Sequence, residues 1–196
     1  GQTNCAGSCR EVTRDTASLR DAFPVLAEVV RCYREGTRFG IRLDEHDGLL
    51  RAGEPGVQVT WMDAKVGEHV ITPRIGKPVE INALWYNALR QMAEWAATKA
   101  PAQAESYSLA AERVETNFNR VFWYAPGGQL YDIVDADAGP DRTTRPNQML
   151  AIGLPFPVLA RERWRPVLDA VTDRLLTPVG LRTLSPGAPL YHGWYA

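Results

Sequence analysis

The sequence predicts an all-α fold with long loops between the helices. Apolar residues recur at the spacing of an amphipathic helix in several segments, whereas residues 36–79 sustain no helical period. The chain has 196 residues, of which 45% are hydrophobic, and this composition suffices for one hydrophobic core. We therefore expect a single helical domain.

Three long helices are predicted in the first two thirds of the chain. The first covers residues 18–35 and ends at Gly36, a residue typical of helix C-termini. The second begins at Glu80, and its apolar stripe consists of Ile81, Leu84, Trp85, Ala88, Met92 and Trp95. The third begins at Pro101, a residue suited to a first helical turn, and ends near Arg120. We expect the third helix to fold back on the second.

Shorter elements follow these helices. Two apolar stretches flank the turn residues 126–128 and predict a hairpin. A short apolar helix begins at Pro146, and a fifth helix covers residues 161–176. From Thr177 the chain is rich in proline and glycine and contains no closing element.

The first residues differ from the rest of the chain. Residues 1–17 show no period, and we expect them to form a disordered or non-native N-terminal end. The folded domain is then predicted to cover residues 18–196.

The charge balance excludes several classes of partner. The 22 Lys and Arg residues oppose 23 Asp and Glu residues, so the net charge of -1 favours neither nucleic acid nor an anionic membrane surface. No apolar stretch approaches the roughly 18 to 20 residues that cross a bilayer, and the N-terminal residues contain no signal core. We therefore expect a cytoplasmic protein with a neutral partner, and no binding to nucleic acid or membranes.

The cysteines and histidines do not indicate a cofactor or a metal site. Cys5, Cys9 and Cys32 form no CxxC pair, which indicates free thiols rather than disulfides or a zinc site. The three histidines are scattered without ligand spacing. No metal and no cofactor are expected.

The long segment 36–79 is where we expect a functional site. Loops longer than about 12 to 15 residues are uncommon in compact domains and usually serve a function. Its acidic residues Asp44, Glu45 and Asp47 do not match the spacing of an EF-hand, and Asp47-Gly48 is typical of a turn.

The most specific motifs lie in residues 47–89. This run contains TWMDAK followed by TPRIGKPVEINALWYNAL, and the motifs RPNQ and GLRTLSP come later in the chain. In this order the motifs resemble the glucosidase domain of bacterial and archaeal glycogen debranching enzymes. The resemblance covers about residues 36–196.

The resemblance implies a fold and a reaction. The fold is an (α/α) toroid of six helical hairpins with long active-site loops, of which this chain would be an incomplete portion. The substrate is an alpha-glucan, such as glycogen, limit dextrin or a branched oligosaccharide, from which one alpha-1,6-linked glucose is hydrolysed with inversion. Such hydrolysis needs a carboxylic acid to protonate the leaving oxygen and a carboxylate, about 6.5 to 9.5 Å away, to activate water.

The same resemblance places the catalytic base in a motif that follows GLRTLSP, beyond the last residue of this chain. We therefore expect the chain alone to be inactive. An incomplete ring also leaves apolar flanks exposed, so we expect self-association through helical surfaces.

Asp63, in Trp61-Met62-Asp63, stands where the resemblance places the general acid. A general acid must stay protonated near neutral pH, and burial beside an indole and a thioether would favour this state. The alternative is that Asp63 caps a loop or pairs with Lys65.

Six further residues are candidates for contact with the sugar: Trp61, Arg74, Lys77, Glu80, Trp85 and Asn147. Trp61 would stack on a glucose ring or pack in the core, whereas the position of Trp85 on a helical stripe favours core packing. The three charged candidates would bind sugar hydroxyls or form a solvated helix entry. Asn147 would present its amide to the sugar or cap a helix.

Two other classes of function remain open. A catalytically inactive remnant would bind alpha-glucan at the Trp61 surface without turnover. A helical scaffold would bind protein partners through its paired helices, but it would not need an irregular segment rich in tryptophan and carboxylates.

Overall fold

The computed structural model describes residues 16–67, 69–97 and 100–193, and nearly half of these residues lie in α-helices or 3-10 turns. The α-helices of the described residues are α1 Thr16–Glu35, α2 Val79–Ala96, α3 Pro101–Val121, α4 Leu150–Gly153 and α5 Trp164–Leu175. Single 3-10 turns occupy Ala125–Gly127, Pro146–Met149 and Arg161–Arg163, the last two directly before α4 and α5. The predicted boundaries of α1, α2 and α3 are confirmed to within two residues, whereas the predicted fourth and fifth helices begin as 3-10 turns and become α-helical only at Leu150 and Trp164.

The prediction of a disordered or non-native end at residues 1–17 falls mostly outside the described residues. Residues 1–15, including Cys5 and Cys9, lie outside the described residues. Thr16 and Ala17 already belong to α1, so this helix begins two residues earlier than predicted. Cys32, on the same helix, is a free thiol as expected.

The core is built around α2 and α3. These two helices pack against each other more extensively than any other pair of elements, which confirms that α3 folds back on α2. Their facing surfaces bury Tyr86, Leu89, Met92, Val114 and Phe118 almost completely. Since full burial of such a side chain contributes about 1.5 to 3 kcal/mol, this interface contributes substantially to the stability of the fold.

Short antiparallel strand pairs make up the rest of the regular structure. Among the described residues they are β1 Arg42–Leu43 with β2 Leu50–Arg51, β3 Lys65–Val66 with β4 His69–Val70, β5 Lys77–Pro78 with β8 Ile133–Val134, β6 Trp123–Tyr124 with β7 Gln129–Leu130, and β9 Leu176–Thr177 with β10 Gly180–Leu181. The β6–β7 pair confirms the predicted hairpin. The fold is therefore mostly α-helical, whereas an all-α fold was expected.

Asparagines on α2 and α3 hold extended segments against the helix pair. Asn82 accepts a hydrogen bond of 2.7 Å from the backbone N–H of Leu50 and donates one of 3.0 Å to its carbonyl. Asn87 makes the same two bonds to Phe156, at 2.9 and 2.7 Å. Asn119 binds the backbone of residues 158 and 160 in a similar way. The side-chain amides thus replace a neighbouring strand for these segments.

The β5–β8 pair brings two distant segments together. Gly76, just before β5, has a φ of +130°, and a Cβ at this position would lie 2.8 Å from the Val134 carbonyl oxygen. Only glycine allows this approach. On the other side, the Val79 amide donates a 3.0 Å hydrogen bond to the carbonyl of Asp132. The start of α2 therefore lies beside the residue that precedes β8.

Within the described part of the chain, no helix combines the length and the hydropathy that crossing a lipid bilayer requires.

Candidate functional site

An exposed tryptophan marks the surface of the candidate site. Trp61 lies in the irregular segment between β2 and β3, and 54% of its surface is exposed. Its one polar atom, Nε1, nevertheless donates a 2.9 Å hydrogen bond to Oδ1 of Asn147, which is almost fully buried. The indole is therefore held through its N–H while much of the ring remains open to solvent.

Asn147 connects this surface to the interior. Its Nδ2 donates a 2.8 Å hydrogen bond to Oδ1 of Asp132. The N-cap position of the 3-10 turn Pro146–Met149 is occupied by Arg145, and no side chain caps that turn. The amide of Asn147 thus bonds Trp61 and Asp132 and has no part in capping.

Arg74 joins two buried carboxylates. Its Nη1 donates to Oδ2 of Asp132 and its Nη2 to Oε2 of Glu80, both at 2.6 Å, and all three side chains are 2% exposed. Arg145 adds a second positive charge, with its Nε 3.5 Å from Oδ2 of Asp132. The two guanidinium groups and the two carboxylates therefore balance in formal charge away from solvent.

Burial changes the protonation of Glu80. Desolvation raises the pKa of Glu80 to about 7, against the opposing effect of the Arg74 guanidinium. Its Oε1 is buried, and no side chain among the described residues donates a hydrogen bond to it. Burial of this oxygen favours the neutral form of the carboxyl group.

Asp132 was not identified from the sequence. Burial raises the pKa of Asp132, and the charge of Arg74 and the hydrogen bond from Asn147 oppose the shift. Both of its oxygens accept hydrogen bonds, one from each of these residues. The available signal was a single acid inside an apolar run, since Asp132 stands between Leu130-Tyr131 and Ile133-Val134. A charged residue in such a run needs a partner in the interior.

Asp63 lies on the surface, two residues after Trp61. The burial expected beside Trp61 and Met62 is absent, and the side chain of Asp63 is exposed. The reason is that Trp61 is itself exposed, while Met62 turns its sulfur inward, 3.4 Å from Nη1 of Arg74. Asp63 is therefore open to a ligand that approaches from solvent.

Lys77 lies outside this network. Its Nζ is 2.7 Å from Asp44, 2.8 Å from Asp47 and 3.3 Å from Asp135, measured to the carboxylate oxygens. Burial alone would lower the pKa of Lys77, but hydrogen bonds to Asp44 and Asp47 outweigh burial and raise it. The lysine joins the acidic turn to β5.

Trp85 also lies apart from the network. It is 4% exposed, its Nε1 donates to the Gly48 carbonyl at 3.2 Å, and its ring meets Tyr33 edge-on. These contacts are those of a core side chain.

The structure thus brings together four of the predicted sugar contacts, and Asp132 links them. The four are Trp61, Arg74, Glu80 and Asn147. Chemically, the arrangement combines the exposed ring of Trp61 and the exposed carboxylate of Asp63 in one segment. A buried charged network holds the Trp61 N–H through the amide of Asn147.

Comparison with known families gives a match over nearly the entire chain. The family model described as amylo-alpha-1,6-glucosidase matches residues 3–196, a range that includes every residue of the network. A search of curated proteins finds no match.

Proposed function

Because the chain belongs to the amylo-alpha-1,6-glucosidase family, we propose that it acts in the hydrolysis of a single alpha-1,6-linked glucose from a branched alpha-glucan. Glycogen and limit dextrin are the proposed substrates, and the reaction proceeds with inversion. Trp61 receives a sugar ring, and Asp63 is the general acid that protonates the leaving oxygen. The helices form part of an (α/α) toroid in this proposal.

The exposed, anchored ring of Trp61 is the observation that carries the proposal. Burying an indole in the core would be strongly favourable, yet more than half of this side chain faces solvent. Its N–H is bonded to a buried amide, so the ring is held at the surface. An aromatic face in this state suits the apolar C–H face of a glucose unit. The exposed carboxylate of Asp63 lies two residues further along the same segment.

The buried members of the network support the site in this proposal. Arg74 and Glu80 are too deeply buried to reach a ligand at the surface, and they bond to each other. We assign to them the task of holding the segment that carries Trp61 and Asp63. A ligand bound over Asp63 would supply the water exclusion that a general acid requires.

The second carboxylate of the reaction is not assigned to a described residue. Glu80 and Asp132 are both buried and bonded to Arg74, so neither is available to activate a water. A glucan-binding protein without turnover would share the Trp61 surface, and measurement of turnover separates it from an enzyme.

The test replaces Asp63 in the protein. Asp63→Asn is expected to lower glucose release from limit dextrin at least about 100-fold, since general acids contribute about 10² to 10⁴ to the rate. The thermal melt should be unchanged because the side chain is exposed. Asp173→Asn, at an exposed position on α5, is the matched control and should retain full turnover.

Two results would count against this assignment. Near-normal glucose release by Asp63→Asn would exclude Asp63 as the acid. If the wild-type protein bound limit dextrin without releasing glucose, the glucan-binding function would replace the enzymatic one.

A further inference from the structure

We propose that Asp132 is a positioning residue that sets the orientation of Trp61 by fixing the side-chain amide of Asn147. The inference deepens the proposed function and rests on the role of Trp61 as the surface that receives the sugar. It concerns three side chains joined in series, from a buried carboxylate through one amide to an exposed ring.

Hydrogen-bond polarity defines each link of this series. An ionised carboxylate only accepts hydrogen bonds, and an indole N–H only donates. Asn147 stands between them, with Nδ2 2.8 Å from Asp132 and Oδ1 2.9 Å from Nε1 of Trp61. This orientation of the amide satisfies both neighbours. The reversed amide would place its oxygen against the carboxylate and its NH2 group against the indole N–H.

The inner end of the series is held firmly. Oδ2 of Asp132 accepts a 2.6 Å hydrogen bond from Arg74, and its backbone carbonyl accepts one from the Val79 amide at the start of α2. The side chain of Asp132 is 2% exposed. The buried ion pair of Asp132 and Arg74 therefore fixes the orientation of the Asn147 amide. Through this amide it also fixes the position of the Trp61 ring.

Solvation of Trp61 does not require this bond. Water would satisfy the N–H of an exposed indole nearly as well as a protein acceptor does. Holding a residue of an irregular segment in one conformation also loses entropy. The bond to Asn147 therefore serves to orient the ring, and a preorganised surface binds its ligand more tightly.

Asp132→Asn replaces a carboxylate oxygen, which only accepts hydrogen bonds, by an NH2 group, which only donates them, in a side chain of nearly the same shape. Arg74 keeps an acceptor only if the oxygen of the new amide faces it, so the new NH2 group faces Asn147. Asn147 must then turn its oxygen inward and its NH2 group toward Trp61, where two donors meet. The hydrogen bond of Trp61 is lost as a consequence.

The experiment follows the indole N–H of Trp61 by ¹H–¹⁵N NMR in the 196-residue chain. The resonance is identified by its absence in Trp61→Phe. In the wild-type chain, this N–H should exchange with water at least about tenfold more slowly than free N-acetyltryptophanamide. In Asp132→Asn the rate should approach that of the free indole. Asp169→Asn, which breaks an exposed ion pair with Arg165, is the control and should change nothing.

A titration with a branched alpha-glucan oligosaccharide completes the test. The dissociation constant should rise at least about threefold in Asp132→Asn. It should also rise in Trp61→Phe, which keeps an aromatic ring but has no N–H to hold it. The double variant should bind no more weakly than Trp61→Phe, because the two residues act through one bond.

The outcomes separate this inference from the proposed function. Rapid exchange of the Trp61 N–H in a wild-type chain whose buried Trp85 N–H exchanges slowly overturns the inference, whether or not the variants fold. Slow exchange that persists in folded Asp132→Asn overturns it as well. If Asp132→Asn does not fold, Asn147→Leu removes the middle link, and rapid exchange in that variant supports the inference. Slow exchange in the wild type and rapid exchange in the variant, without oligosaccharide binding by either, supports the positioning role and rejects the proposed function.

Discussion

At the scale of single residues, Arg74 donates hydrogen bonds to the carboxylates of Asp132 and Glu80, which differ in the number of hydrogen bonds that they accept from side chains. Asp132 accepts side-chain hydrogen bonds at both oxygens, whereas among the described side chains Glu80 accepts one, from Arg74 at Oε2. Among the described side chains none reaches Oε1 of Glu80. Desolvation therefore dominates at Glu80 and raises its pKa to about 7. A change in the protonation of this residue should be visible in the stability of the protein near neutral pH.

The pH dependence of unfolding tests this expectation. An unfolded Glu titrates near the usual pKa of 4.5, and the folded Glu80 near 7, so the folded state holds an extra proton between these values. The stability contributed by this proton is fully present below about pH 4.5 and is lost as the pH rises to 7. Glu80→Gln cannot titrate at this position and does not lose this stability. The free energy of unfolding of Glu80→Gln minus that of the wild type should therefore rise by about 2 to 3 kcal/mol between pH 4.5 and pH 7.

Urea unfolding at several pH values measures this difference. Glu112→Gln, on an exposed part of α3, is the control for replacing a carboxylate by an amide in a helix. If the stability difference between Glu80→Gln and wild type did not vary over this range, the buried Oε1 would not govern the titration of Glu80.

At the scale of elements, the irregular segment 36–78 is held by contacts of side chains rather than by the hydrogen bonds of an extended sheet. Its strands are two residues long and supply few ladder hydrogen bonds. Lys77 in β5 binds Asp44 and Asp47 across the segment, and Asn82 of α2 binds the backbone of β2. A buried cation and a buried amide thus determine the shape of this segment.

Lys77→Met tests the contribution of the buried cation. Methionine preserves much of the aliphatic stem but leaves Asp44 and Asp47 without their counter-charge. Breaking a buried ion pair costs about 3 to 5 kcal/mol. Because the side chain of Asp44 is 25% exposed, we expect a smaller loss of about 2 to 4 kcal/mol in the free energy of unfolding.

Arg165→Met is the matched comparison for this substitution. It removes a surface pair with Asp169 on α5, and such pairs contribute about 0 to 1 kcal/mol. Urea unfolding of both variants gives the comparison. Equal losses would mean that the buried pairs of Lys77 contribute no more to stability than the exposed pair of Arg165 does.

At the scale of the whole molecule, an apolar groove lies open between α1 and α2. Its volume is about 490 Å³, and its lining includes Val29, Tyr33, Ile81, Leu84 and Ala88. In the proposed toroid, each helical hairpin packs against neighbours on both sides. An exposed flank of a few hundred Å² represents roughly 5 to 10 kcal/mol of unrealised burial, which is comparable to the stability of a domain.

We therefore expect the 196-residue chain either to self-associate through this groove or to be marginally stable and bind a hydrophobic dye. Size-exclusion chromatography with light scattering, together with a thermal melt, measures both properties. Leu84→Lys in the groove should weaken the association. Val179→Lys is the control, because Val179 is 96% exposed in the β9–β10 turn, away from the groove lining. A cooperative monomer of 21.8 kDa that binds no dye would contradict the incomplete-ring proposal.

The sequence by itself determined the helices, the β6–β7 hairpin and the family, because these signals are carried by neighbouring residues. A helical period repeats every few positions, a turn lies within a short run, and the motifs around Asp63 are continuous. The same local reasoning selected Trp61, Arg74, Glu80 and Asn147 as candidates. It left open whether each of them would contact a ligand, solvent or the core.

Only the tertiary structure decided how these candidates are bonded. Asn147 is 86 residues from Trp61 and 15 from Asp132, and their order in the chain does not encode that the amide lies between them. Tertiary contacts likewise gave Lys77 and Trp85 partners outside the network, and the fold left Asp63 exposed. The physical reason is that solvation and hydrogen-bond polarity depend on the groups that surround a side chain in space. Most of those groups come from distant parts of the chain.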